Sequence, residues 1–162
     1  MTRRNFLNLL SGLGLGGAAA ATADAASTPT RADRVELSDA EWKKRLSDAA
    51  FRVLRNEGTE PPHSSTLNSE KRPGTYHCAG CDLPLFAHAA KFDSGTGWPS
   101  FFEALPDALG TKTDYKLVLP RNEYHCARCG GHQGHVFGDG PRPTGKRYCN
   151  NGVALRFAPV AA

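Results

Sequence analysis

Two six-residue segments of the chain almost repeat one another: Tyr76-His77-Cys78-Ala79-Gly80-Cys81 and Tyr124-His125-Cys126-Ala127-Arg128-Cys129. Each ends in C-x-x-C, a turn that presents two thiolates from one tight loop. Two such turns complete a tetrahedron around zinc. The stretch between them exceeds a zinc-ribbon spacer, so a shared metal would pin together segments distant along the chain. The redox alternatives are pairing of the four cysteines as disulfides, or one C-x-x-C acting as a thioredoxin-like dithiol. A redox C-x-x-C opens a helix in a βαβ setting, whereas both of these sit among turn residues. That favours Cys78, Cys81, Cys126 and Cys129 as ligands of one structural Zn2+ per chain. His77 and His125 are then surplus to a filled shell.

The rest of the 162 residues fits around one domain. The net charge of +4 is small and not concentrated, which argues against a nucleic-acid partner. No stretch is long and apolar enough for an ordinary membrane-spanning helix. Residues 1–25 have the order of a twin-arginine export signal: Arg3-Arg4, a weakly apolar Leu/Gly/Ala run, then A-x-A sites at Ala21-Thr22-Ala23 and Ala23-Asp24-Ala25. The expectation is a periplasmic protein that meets the membrane only during export, translocated already folded and metal-loaded. Residues 26–36 are small and polar and are expected as a flexible lead-in, with the domain over 37–162.

Ser38 and Glu41 make a capping-box pattern ahead of Trp42, Leu46, Ala50, Val53 and Leu54 at helical spacing. Ser47-Asp48 offers a restart, giving two short helices, and Gly58 a stop. Glu60 to Gly74 is polar and Pro-rich and is expected as a surface loop. Beyond it, strand-like runs at Tyr115–Leu119, His135–Phe137 and Val153–Phe157 alternate with Gly/Pro/Asp turns. The fold expected is mainly antiparallel β, with helices at its N-terminal end.

The fifth cysteine, Cys149, has no partner in this scheme. Arg147, two residues earlier, shares its face if the segment is a strand, and a guanidinium there favours the reactive thiolate. His132 and His135 lie in a cluster leading back to it through a Gly/Pro-rich loop. A cysteine with histidines nearby is the usual make-up of a thiol nucleophile with proton donors. The same residues are also compatible with an inert cysteine and a hairpin closed by two histidines.

Taken together, Gly58-Thr59-Glu60, the two cysteine knuckles, Phe92-Asp93-Ser94-Gly95-Thr96-Gly97-Trp98-Pro99-Ser100-Phe101, the His132–Phe137 cluster and Arg147-Tyr148-Cys149 resemble the B-type methionine sulfoxide reductases. The resemblance runs from about Ser38 to Phe157. It implies two small antiparallel sheets, a structural zinc far from the chemistry, and reduction of the R epimer of methionine sulfoxide, mainly in proteins, as oxidative-stress repair. It implies Cys149 as nucleophile, His132 and His135 as proton donors, Arg147 near the thiolate, and Asn151 and Trp98 lining the substrate site. For Trp98 the bland alternative is core packing, though a Gly-x-Gly-Trp-Pro turn is an odd place for it.

Three departures from the family pattern matter. Thr96 stands where many members carry the cysteine that resolves the sulfenic acid, so an external, thioredoxin-like thiol is expected as reductant. Gly152 replaces a frequent serine. The aromatic residues usual around His63 to Asn68 are missing. The chain is expected to act as a monomer. The competing functional readings are a zinc-ribbon-like binding module without catalysis and a thiol peroxidase.

Overall fold

The computed structural model describes residues 31–117 and 119–161. The export signal expected over 1–25, and the lead-in before Arg31, lie outside the described residues. From Arg31 the lead-in runs beside the second cysteine turn, where the Val35 N–H donates to the Arg128 carbonyl at 2.9 Å and Arg128 pairs with Asp33.

The first helix, α1 (Asp39–Arg45), forms where the capping box places it. The Glu41 N–H donates to Ser38 Oγ, and the Glu41 carboxylate accepts the Ser38 N–H at 2.9 Å. Ser47 caps α2 (Asp48–Leu54) by accepting the Ala50 N–H. Glu57 at φ 52 and the Gly58 N–H, bonded back to the Arg52 carbonyl, close the end of α2. Both helices are too short to be stable alone. Trp42, Phe51, Val53 and Leu54 are buried in the core that the helices share with the sheets.

Beyond the helices the described residues form β-strands linked by loops and short 3-10 turns, every pairing antiparallel. A three-stranded sheet has the order β2-β1-β9, from β1 (Gly74–Cys78), β2 (Pro84–Ala87) and β9 (Leu155–Pro159). A six-stranded sheet has the order β3-β4-β8-β7-β6-β5. Its strands are β3 (Lys91–Phe92), β4 (Ser100–Phe101), β5 (Leu109–Asp114), β6 (Arg121–Cys126), β7 (His132–Phe137) and β8 (Arg147–Asn150). Aromatic side chains tie the sheets together. Phe86 on β2 stacks on Phe101 of β4 with centroids 4.2 Å apart, and Tyr76 on β1 meets Phe101 edge-on at 4.9 Å. The expected mainly-β class with two sheets and two N-terminal helices is what the chain adopts.

Two local expectations fail. Among the described residues of 115–119 there is no strand. β5 stops at Asp114, whose side chain accepts the Lys116 N–H at 2.8 Å and turns the backbone out of the ladder. The loop after Gly58 is not wholly at the surface, because Glu60 is buried.

Candidate active site and a four-cysteine centre

Cys149 lies on β8, in the middle of the larger sheet. Its neighbours in register are Ser100 on β4 and His135 on β7. β7 can approach β8 this closely because residue 134 is glycine: a Cβ there would fall 1.9 Å from the Cys149 carbonyl oxygen. On its other side β7 carries a bulge. Tyr124 pairs with Gly134 and His125 with His132, which leaves Gln133 as the extra residue. Absorbing one residue brings His132 and His135 onto the same face, with their rings edge to face at 5.5 Å.

Cys149 and His135 open into a pocket of about 140 Å³. Trp98 and Phe137 give it aromatic walls, with Thr59, Arg121, Gly134, Asn150 and Asn151 completing it. Such a volume is close to the ~150 Å³ that holds a benzene-sized molecule. Of the residues expected at the site, Cys149, His135, Trp98 and Asn151 meet in this pocket. His132 sits behind His135, almost fully buried, with Nδ1 3.1 Å from Glu123 Oε1 but not aligned as a hydrogen bond. Arg147 lies beside Cys149, but its guanidinium holds Asp139 through two 2.9 Å bonds and covers the Phe137 ring at 4.4 Å.

Three residues to which the sequence assigned no role, Asp114, Arg121 and Glu60, organise this pocket. Asp114 accepts from His135 Nε2 and from Arg121, each at 2.7 Å. The Lys116 N–H together with His135 and Arg121 holds its carboxyl well below the usual carboxylate range. Glu60 spans both sides of the pocket. Its carbonyl accepts the Trp98 indole N–H at 3.1 Å, its N–H donates to Asn151 Oδ1, and its carboxylate accepts the N–H groups of Gly152 and Val153. Thr59 and Glu60 belong to the Gly58-Thr59-Glu60 motif, so that motif was a signal for them. For Asp114 and Arg121 no local signal exists.

The departures around His63–Asn68 and at Gly152 also find their place. The His63 N–H and Asn68 Nδ2 both donate to the Gly97 carbonyl, at 2.7 and 3.0 Å, so this segment braces the Trp98 loop and does not line the pocket. A Cβ at Gly152 would lie 2.0 Å from Ser65 Oγ, so Ser65 fills the space a serine at 152 would need.

Burial raises the Cys149 thiol above its ordinary range, while Arg147 and the Thr96 hydroxyl draw it down. Burial also lowers His135, opposed by Asp114. At neutral pH the pair therefore rests as thiol and neutral imidazole. A thiol beside a base, in a pocket walled by indole and phenyl rings, is equipped for nucleophilic attack on a small apolar-tailed group.

The other four cysteines gather elsewhere, with their sulfur atoms all within 4.8 Å of one another. Cys78 and Cys129 are 3.7 Å apart, Cys81 and Cys126 3.4 Å. Disulfides need about 2.05 Å, whereas sulfurs ~2.3 Å from a tetrahedral zinc lie about 3.8 Å from one another. The cluster is consistent with a structural zinc. It takes no part in the pocket wall, but fully buried side chains connect it to β8. Gln133 Nε2 donates to Cys78 Sγ at 3.4 Å, and Gln133 Oε1 accepts from Asn150 Nδ2 at 3.3 Å. Asn150 is the residue after Cys149, and its Oδ1 accepts the Tyr124 hydroxyl at 2.8 Å.

Residues 46–159 match the model of the SelR domain family. The chain is 51% identical over 124 residues to the peptide methionine sulfoxide reductase MsrB of Methanosarcina barkeri, covering 76% of this chain and 87% of that one. To the protein of the same name from Pseudomonas putida it is 49% identical over 127 residues, covering 78% and 96%. To the chloroplastic peptide methionine sulfoxide reductase B1 of Arabidopsis thaliana it is 49% identical over 122 residues, or 75% of this chain. There the match spans 60% of the relative's length, and 57% for the rice relative. With a matched segment that contains both cysteine turns, His135 and Cys149, the chain belongs to the SelR-domain family of B-type peptide methionine sulfoxide reductases.

Proposed function

We propose that the protein reduces the R epimer of methionine sulfoxide, chiefly in polypeptides, to methionine, with Cys149 as nucleophile. The observation that carries this reading is the pairing of Cys149 with His135 in the wall of a pocket faced by Trp98. The substrate methyl rests on the indole, and His135 takes the thiol proton as Cys149 Sγ attacks the sulfoxide sulfur. The same imidazolium returns the proton to the sulfoxide oxygen, which is a poor leaving group until protonated. The S–O bond breaks, the oxygen ends on Cys149 as sulfenic acid, and two electrons pass to the released methionine. Asp114 stabilises the transient imidazolium, His132 backs its ring, and Arg147 and Thr96 favour the thiolate. Asn151, held by Glu60 and by the Gln133 carbonyl, shapes the floor.

Thr96 stands beside Cys149, where the resemblance would put a resolving thiol, and the other cysteines gather in the cluster. Two external thiols, for example from a thioredoxin-like protein, would therefore reduce the sulfenic acid, giving a disulfide and water. Zn2+ held by Cys78, Cys81, Cys126 and Cys129 would supply a cross-link between the two knuckles. The order of residues 1–25 supports export by the twin-arginine route to the periplasm, with the metal acquired beforehand.

Cys149→Ser tests the assignment. It is expected to abolish reduction of methionine sulfoxide while leaving the metal content of the purified protein unchanged. Residual turnover by this variant would exclude Cys149 as the nucleophile. Peroxide consumed faster than methionine sulfoxide by the unaltered protein would favour a thiol peroxidase.

A further inference from the structure

Tyr115, Leu117 and Leu119 alternate along the sequence as they would in a half-buried strand, yet they are 76%, 57% and 76% exposed. Three large apolar side chains held in water within five residues are unfavourable without a partner. Their position follows from Asp114. That carboxylate ends β5 by taking the Lys116 N–H, and the same carboxylate grips His135 and Arg121. The segment is thereby rooted in the catalytic region. Leu117, Leu119 and Pro120 form an open groove with Val136 and Phe137, and the groove meets the Cys149 pocket at Arg121 and Phe137.

We infer that this ledge is a subsite for a bulky apolar side chain two residues from the methionine sulfoxide in a polypeptide substrate. The inference rests on reading the Cys149 pocket as a methionine sulfoxide site. With room for little more than one side chain, the pocket leaves the backbone and neighbours of the oxidised residue to lie across its rim. On the Phe137 side that rim continues directly into an apolar groove of about 680 Å³. An extended peptide sends alternate side chains to the same face, so a residue near the sulfoxide reaches the ledge while the sulfoxide faces Cys149. Desolvating Leu117 and Leu119 then contributes to binding of apolar-flanked substrates alone.

The test uses the double variant Leu117→Ser, Leu119→Ser with dithiothreitol as reductant. Its substrates are N-acetyl-R-methionine sulfoxide and two hexapeptides with phenylalanine or serine two residues to either side of R-methionine sulfoxide. The unaltered protein is expected to favour the phenylalanine peptide over the serine peptide by about tenfold in kcat/KM, and the variant to lose most of that ratio. Both proteins reducing all three substrates with the same ratios would overturn the ledge and leave the pocket assignment standing. Failure of the unaltered protein to reduce any of them would overturn the pocket assignment and the ledge with it. A concentration-dependent dimer that the variant loses, with the peptide ratio unchanged, would make the ledge a contact between copies of the chain and overturn its role toward substrate.

Discussion

At Cys149 two effects oppose each other, and burial outweighs the pull of Arg147 and Thr96. At His135 burial again outweighs the opposing partner, Asp114. The thiol is raised above its ordinary value of about 8.5 and the imidazole lowered below about 6.5. Protonating His135 removes the base, and deprotonating Cys149 without an imidazolium removes the acid. The rate should therefore fall below the lowered histidine pKa and above the raised cysteine pKa. A plot of kcat/KM against pH is expected to show a plateau wider than that interval. Asp114→Asn takes away the group that favours the charged imidazole. It should move the acid limb to lower pH and reduce the plateau by at least about tenfold; an unmoved acid limb would detach Asp114 from the chemistry. As the lining of one pocket, Cys149 and His135 were legible from residue type and spacing, and Trp98 and Asn151 from the resemblance. Asp114 and Arg121 were not, because a carboxylate at a strand end and a neighbouring arginine look like ordinary surface charges until the hairpin turns them inward.

Among the elements, the helices were the most legible. Capping by Ser38, Glu41 and Ser47 is encoded within a few residues, and the structure has both helices where those caps fall. The strand expected over Tyr115–Leu119 failed because alternation reports a preference for one-sided burial, while the Asp114 turn decides that the ladder stops. The bulge at Gln133 was also invisible, since it depends on the register between β6 and β7. That bulge holds buried amides in place, and Tyr124 anchors them through Asn150. Tyr124→Phe leaves Asn150 Oδ1 without this donor inside the core. Urea unfolding should show a loss of about 1–2 kcal/mol. An unchanged midpoint and slope would mean that this bond adds nothing to stability.

For the molecule as a whole, the two C-x-x-C turns forecast the central long-range constraint, since they required residues 78–81 and 126–129 to meet. The sheet order joining them was not forecast, because pairing between distant strands leaves no local trace in sequence. The structure also changes how the two centres relate. The four-cysteine cluster is outside the pocket, yet Gln133 bonds Cys78 on one side and Asn150 on the other, and Asn150 follows Cys149 directly. The knuckles thus hold the β6–β7 bulge from which both histidines project, and β8 carries Cys149 against it. With the other four cysteines gathered in the cluster, the proposed chemistry stops after a single turnover unless an external thiol is present. The measurement that addresses it most directly mixes purified protein with R- and S-methionine sulfoxide in the absence of added reductant. About one methionine per chain is expected, from the R epimer alone, with a trappable sulfenic acid on Cys149. Release from both epimers, or a disulfide to Cys149 in place of sulfenic acid, would contradict that chemistry.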